Sequence, residues 1–272
     1  MKVFSKYIIV STGQKGGSGK STFLSTIADV LRSEQRTIAV FDGDGSIGSL
    51  SDMHGTRDED GKLLMQQDPR VGVGSYDIRS DSRITLINSL ALDTPHILHD
   101  LAGGSLVELQ RIFADQDGLT KLFRALHSVD ACIVFCHVIT PDIGTVDSVR
   151  MTLDLIQNLG DLSSNARHIA VLNRHGGRRD DAFPLWFGET DTTGNQRGGK
   201  TRARLSADGG LEMDLPGLED RLMARMQQRH LSFTQACNDP SLMIDEQIKS
   251  KLYLEDFKTS FRPEIRQIMG LD

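Results

Sequence analysis

Gly13-Gln14-Lys15-Gly16-Gly17-Ser18-Gly19-Lys20-Ser21-Thr22 carries more chemical information than any other segment of this 272-residue chain. An apolar run, Tyr7-Ile8-Ile9-Val10, precedes it, and Phe23, Ile27, Val30 and Leu31 follow at helical spacing. Strand, glycine-rich turn and helix, in that order, is the setting of a phosphate-binding loop. Glycines admit backbone angles that a Cβ forbids, so successive N–H groups can converge on an anion. The helix start behind them adds unpaired donors and a positive dipole end. Lys20 is spaced to reach β- and γ-phosphates, and the Ser21 hydroxyl to ligate Mg²⁺. The loop departs from the general G-x-x-x-x-G-K-[ST] spacing. Its first glycine position falls on Gln14, Gly13 comes one place early, and Lys15 adds a second lysine.

Lys15-Gly16-Gly17-Ser18-Gly19-Lys20-Ser21 resembles the deviant Walker A loop of the ParA/MinD family of dimerising ATPases. The resemblance implies ATP and Mg²⁺ as cofactors, with Gly16, Gly17, Ser18, Gly19, Lys20, Ser21 and Thr22 against the nucleotide. It also implies that Lys15 reaches across a dimer interface to the partner's nucleotide. Without the resemblance, Lys15 reads as a solvated loop lysine.

Three later apolar runs end in residues that fit the same picture. Thr37-Ile38-Ala39-Val40-Phe41 reads as a buried parallel strand and ends in Asp42-Gly43-Asp44-Gly45. Carboxylates at such a strand tip lie where α/β sheets place ligands. The resemblance gives Asp42 the water shell of Mg²⁺ and Asp44 the attacking water. The commoner Asp-x-Asp-Pro-Gln continuation is absent, since Gly45 and Ser46 stand there, and Asp-Gly pairs also form ordinary turns. His96-Ile97-Leu98-His99 runs into Asp100-Leu101-Ala102-Gly103-Gly104, which resembles a Walker B strand and the switch behind it. Asp100 would then hold Mg²⁺ through water, and the Gly103 or Gly104 amide would sense the γ-phosphate. His96 and His99 read as core or edge histidines. His168-Ile169-Ala170-Val171-Leu172 ends in Asn173, where the family places a residue against adenine; the competing reading is a strand-end turn residue. No Asn-Lys-x-Asp pattern is present, which favours ATP over GTP.

Further elements are expected as a polar excursion with one short helix over 54–81, a strand at 83–88, and a helix at 119–126. A central strand follows at 131–139 with Cys132 and Cys136 on one face, then a helix at 147–159 and a last strand at 211–216. Alternating strands and helices give an α/β fold, a doubly wound, mainly parallel sheet with helices on both faces. Residues 1–272 read as a single P-loop ATPase domain, with a helical tail at 243–272.

Composition sets outer bounds. Hydrophobic content of 38% and charged content of 25% are ordinary for a globular protein, and no window approaches the ~20 apolar residues of a membrane span. Three cysteines, without disulfide or zinc spacing, and the absence of a signal-peptide pattern point to the cytoplasm. The net charge of −6 argues against a wholly basic nucleic-acid binder but leaves room for a local patch. Residues 174–210 are the candidate: Arg174, Arg178, Arg179, Arg197, Lys200, Arg202 and Arg204 lie among glycine, serine and threonine, in a composition that suits a flexible segment. Non-specific DNA contact and a solvated loop are both open readings of the Arg174 to Arg204 stretch.

The function implied by the resemblance is an ATP-dependent, homodimerising ATPase that partitions or positions DNA cargo through an adaptor or activator protein. A MinD-like positioner of protein or membrane cargo, and a non-hydrolysing nucleotide-binding regulatory module, are the alternatives. The mixed charge of the tail disfavours a membrane-surface helix.

Overall fold

The structure is a computed structural model that describes residues 2–13, 16–45, 48–111, 117–190 and 192–271. Among the described residues, seven strands form one parallel sheet: β1 (Lys6–Thr12), β2 (Ile38–Gly43), β3 (Gly74–Ser75), β4 (His96–Leu101), β5 (Ala131–Ile139), β6 (Ala166–Asn173) and β9 (Leu211–Leu215). A separate antiparallel hairpin joins β7 (Glu189–Thr190) to β8 (Gln196–Arg197). The sheet order is β3-β2-β4-β1-β5-β6-β9, so the winding reverses around β1, where open α/β sheets bind ligands at their carboxyl ends.

The first helices are α1 (Lys20–Ser33), α2 (Ser49–His54), α3 (Thr85–Asn88), α4 (Ser105–Gln110), α5 (Gly118–Ser128) and α6 (Ile143–Gln157). Those that follow are α7 (Pro184–Phe187), α8 (Lys200–Ala207), α9 (Asp220–Gln228), α10 (Phe233–Ala236), α11 (Ile244–Ser260) and α12 (Pro263–Ile268).

The period-2 alternation of the strands divides them between two cores. Tyr7 and Ile9 of β1 pack with Phe23, Ile27 and Leu31 of α1 and with Tyr253, Phe257, Ile265 and Ile268 of α11 and α12. Ile8 and Val10 face the other way, onto Leu86 of α3 and Leu122, Phe123 and Leu126 of α5. A third cluster joins α6 to Phe183, Trp186 and Leu205 beside β6. Both faces are covered, so every residue of β5 is buried. Continuous apolar runs are the sequence form of such a strand. The tail from 243 is a closing helical segment whose inner face belongs to the first core.

Three local expectations are corrected. Residues 83–88 are not a strand. Ser80 Oγ accepts from Ser82 N at 3.2 Å and starts a 3₁₀ turn, Asp81–Ile84, that leads into α3. Leu86 and Leu90, four apart, are buried while Ile84 is exposed, a helical rather than an alternating pattern. The polar excursion ends in the edge strand β3, which pairs with Phe41 and Asp42 of β2. The helix expected at 147 begins at Ile143, where Asp142 caps it by accepting from Gly144 N at 2.8 Å.

Candidate functional site

β1 delivers the glycine loop to the sheet's carboxyl edge, and α1 leaves it at Lys20. Gly19 caps α1 at φ +97°, and a Cβ there would lie 2.7 Å from Asn173 Nδ2, so both backbone angle and space demand glycine. Gly16 and Gly17 face open space, with nothing within 4 Å of where a Cβ would be. The Ser18 hydroxyl is buried and, among the described residues, has no hydrogen-bond partner. Lys15 lies outside the described residues.

Behind the loop, three adjacent strands bring Ser11, Asp100 and Asp42 side by side. The register pairs Ser11 with Asp100 and Asp100 with Asp42. Ser11 Oγ donates to Asp100 Oδ1 at 2.5 Å, and the Ser21 hydroxyl also bonds this carboxylate. Burial raises the Asp100 pKa to about 6 against the pull of those hydroxyls. Asp42, also buried and raised by burial, accepts from Asp44 N at 3.2 Å and from Ser51 Oγ at 3.3 Å. Lys20 is only 7% exposed. Burial lowers its pKa, while the charges of Asp100 and Asp44 oppose the shift.

Two openings share the loop. A cleft of about 660 Å³ is lined by Gly16 to Gly19, Asn173, Leu215, Pro216 and Met223. A smaller one of about 280 Å³ is lined by Lys20, Ser21, Asp44, Asp100 and Gly103. The structure therefore brings together every described site residue singled out from the sequence. Asn173 holds the loop itself: Nδ2 donates to Ser18 O at 2.8 Å and Oδ1 accepts from His175 N at 2.9 Å. Gly104 N donates to Gly13 O at 3.3 Å, and of the pair Gly103 and Gly104 it is Gly103 that lines the smaller opening. Sequence reasoning missed Ser11, a hydroxyl one strand away from its partner, and Arg79. Arg79 Nη2 donates to Asp44 Oδ1 at 2.7 Å and to Asp44 O at 2.6 Å.

The remaining polar candidates are structural. His99 sits between Tyr76 Oη at 3.0 Å and Ser89 Oγ at 3.1 Å, and His96 Nε2 contacts Gly270 O at 2.8 Å. Burial pushes the Cys132 thiol up to about 12, so it is no nucleophile. In the basic stretch, Arg174 is ion-paired with Asp180 and Asp214, Arg202 with Glu212, and Arg204 with Asp154. Arg179, Arg197 and Lys200 are exposed.

Open glycines, an unsatisfied serine hydroxyl and a desolvated lysine form a cradle for a polyanion. Among the described residues no cluster of three or more His, Cys, Asp or Glu could hold a metal unaided. That donor set suits Mg²⁺ brought in on phosphates, bound by a hydroxyl and by carboxylates through water. No helix among the described residues is long and apolar enough to cross a membrane.

Comparison with known proteins follows the same lines. Residues 9–184 match the family described as the CobQ/CobB/MinD/ParA nucleotide binding domain. Among solved structures, the septum site-determining protein MinD complexed with Mg-ADP from Pyrococcus horikoshii OT3 is similar with TM-score 0.50 and 17% identity, covering 92% of this chain and 94% of that one. A ParA family ATPase from Chlorobium tepidum TLS gives 0.52 at 14% identity, covering 92% and 98%. A Cyanothece McdA variant in complex with ATP gives 0.54 at 9%, covering 99% and 98%. Such low identities speak for the fold alone. No curated protein matches the sequence. With the family match spanning well over half its length, the chain belongs to the CobQ/CobB/MinD/ParA nucleotide-binding family.

Proposed function

We propose that the protein is an ATP-driven, homodimerising switch that hydrolyses ATP and positions a cargo, with DNA as that cargo. The observation that carries the nucleotide reading is the convergence of the glycine cradle, Lys20, Ser21, Asp42 and Asp100 at the carboxyl edge of β1, β2 and β4. The cradle and Lys20 take the phosphates. Ser21, with Asp42 and Asp100 through water, takes Mg²⁺, which supplies charge neutralisation at the phosphates when bound. Asp44, at the rim of the smaller opening, orients a water for attack on the terminal phosphorus. The new P–O bond forms as the bond to the bridging oxygen breaks, its electron pair leaving with ADP and the water's proton passing to phosphate. Among these side chains none is placed as a strong general base, so catalysis rests on positioning and electrostatics. The larger cleft, with Leu215, Pro216 and Met223, accepts the base.

Dimerisation rests on the resemblance at Lys15. Lys15→Ala is expected to keep ATP affinity and to lose nucleotide-dependent dimerisation. Sedimentation with ADP and with a non-hydrolysable ATP analogue measures it; a dimer formed equally well by the variant rejects the trans-acting lysine and leaves an ordinary phosphate loop.

For DNA, the exposed side chains of the stretch are Arg179, Arg197 and Lys200; Arg174, Arg202 and Arg204 are less exposed and ion-paired with Asp214, Glu212 and Asp154. Binding through the exposed three is weak in a monomer and is reinforced when a dimer doubles the contacts. It requires ATP and falls with salt by a log–log slope of roughly one per phosphate neutralised. Charge reversal at Arg197 and Lys200 is expected to abolish DNA retention in a filter assay without changing ATP affinity. Retention unaltered by that change, or insensitive to salt, moves the DNA contact to another surface, and no ATP-dependent retention by the wild type leaves a protein cargo, reached through an adaptor.

A further inference from the structure

Asp44 stands at the rim of the phosphate-side opening in a crowd of like charges. Asp42 and Asp100 lie just behind it on neighbouring strands. An incoming triphosphate adds more negative charge on the side that Asp44 must face. A carboxylate in that position is repelled, and it keeps one direction only if a counter-charge on the outer side holds it. The segment after β3 supplies that hold.

Arg79 Nη2 donates to both the side chain and the main chain of Asp44, at 2.7 Å to Oδ1 and 2.6 Å to the carbonyl oxygen. Two bonds from one nitrogen to one residue fix the carboxylate's direction relative to its own backbone. The guanidinium is itself aimed: Nε donates to Asp77 Oδ1 at 3.1 Å, and the Arg79 amide donates to the same oxygen at 2.9 Å. Asp77 is held in turn by an antiparallel bridge to Asp44 and by its N–H donating to Ser82 Oγ at 3.0 Å. Gly45 makes the close approach possible. It adopts φ +72°, its N–H donates to Tyr76 O at 3.0 Å, and a Cβ on it would sit 2.7 Å from Asp77 Cβ. Glycine where related loops carry proline thus has a local cause: the 76–79 segment folds down onto it.

We propose that Arg79 is the positioning residue for Asp44, holding one carboxylate oxygen so that the other faces the attacking water. The inference rests on the hydrolytic reading above. One oxygen is engaged from outside, which leaves the second for water on the phosphate side. Asp77 and Gly45 belong to the same device, one steering the guanidinium and the other admitting it. The pair is half exposed, 51% for Arg79 and 49% for Asp44, so its loss costs little in fold stability.

The experiment compares wild type, Arg79→Ala, Arg79→Lys and Asp44→Ala in steady-state phosphate release, ATP calorimetry and thermal melting. Arg79→Ala is expected to lower kcat by roughly 10- to 100-fold, the cost of a misdirected reacting group, with ATP affinity and melting temperature unchanged. Arg79→Lys recovers part of the loss, since an ammonium reaches one of the two acceptors. Added guanidinium at low concentration restores turnover to Arg79→Ala and not to Asp44→Ala, which a general structural defect would not reproduce. Turnover unchanged in Arg79→Ala, or lost only together with ATP affinity or folding, overturns the inference while the hydrolytic reading stands. Full turnover in Asp44→Ala removes the group that Arg79 would position and overturns it as well. Wild-type protein that binds ATP without hydrolysing it overturns both and leaves a nucleotide-binding module.

Discussion

Lys20→Ala is expected to weaken ATP binding by roughly two to three orders of magnitude, as read by calorimetry in the presence of Mg²⁺. The ammonium is stripped of most of its water at the first turn of α1, and burial already depresses its pKa. Asp100 and Asp44 provide its compensation in the free protein. Without it, phosphates entering the cradle meet those two carboxylates with no cation between them. Truncating one member of a buried, hydrogen-bonded charge pair costs about 2–5 kcal/mol, and the scale of the loss follows from that. The fold should be little affected, because Lys20 is a costly group to bury and its removal leaves the core clusters on both faces of the sheet intact. Unchanged affinity in a folded variant would reject the phosphate-loop assignment.

Asp44→Ala is expected to bind ATP, form the dimer and hydrolyse on the order of 100-fold more slowly or worse. The three strand-end carboxylates are not equivalent. Asp100 is enclosed by two serine hydroxyls and Asp42 by the Asp44 amide and Ser51, whereas Asp44 is half exposed at the rim. The two buried groups suit a metal's water shell, and the outer one suits a mobile substrate water. Dimer lifetime by size exclusion should lengthen in step with the loss of phosphate release. Retained turnover would return Asp44 to the role of a turn residue bridged to Asp77, with the fold undisturbed.

The parallel strands were legible because two-sided burial writes itself as continuous apolar runs: Ile8 to Val10, Ile38 to Phe41 and Ala131 to Ile139 all lie where those runs fall. The loop was legible because glycine spacing is a direct record of backbone angle, as Gly17 and Gly19 demonstrate with positive φ. Edge strand β3 was not, since Gly74–Ser75 carries no apolar run and is held by two pairings to β2. Residues 83–88 misled because Arg83-Ile84-Thr85-Leu86 alternates like a strand, while the residues that anchor the helical turn, Leu86 and Leu90, are four apart and the second lies beyond the run. Charge pairing was the least visible of all. The basic stretch shows its charges in the sequence but not their distant partners: Arg174 meets Asp214 and Arg202 meets Glu212 only once β9 lies beside β6.

The sheet order also governs the sequence of events during synthesis. β1 emerges first, but its two neighbours are β4 and β5, with Tyr7 opposite His96 and Cys132. Its own successor, β2, pairs with β4 and β3 and never with β1. The nascent N-terminal third therefore has an apolar strand and a glycine turn with no ladder to join. Non-local closure of this kind is slow and leaves strand edges exposed while it waits. The anion cradle acquires its shape only when the middle of the chain has left the ribosome, so a polypeptide truncated before β4 carries the whole motif and neither of the strands that flank β1.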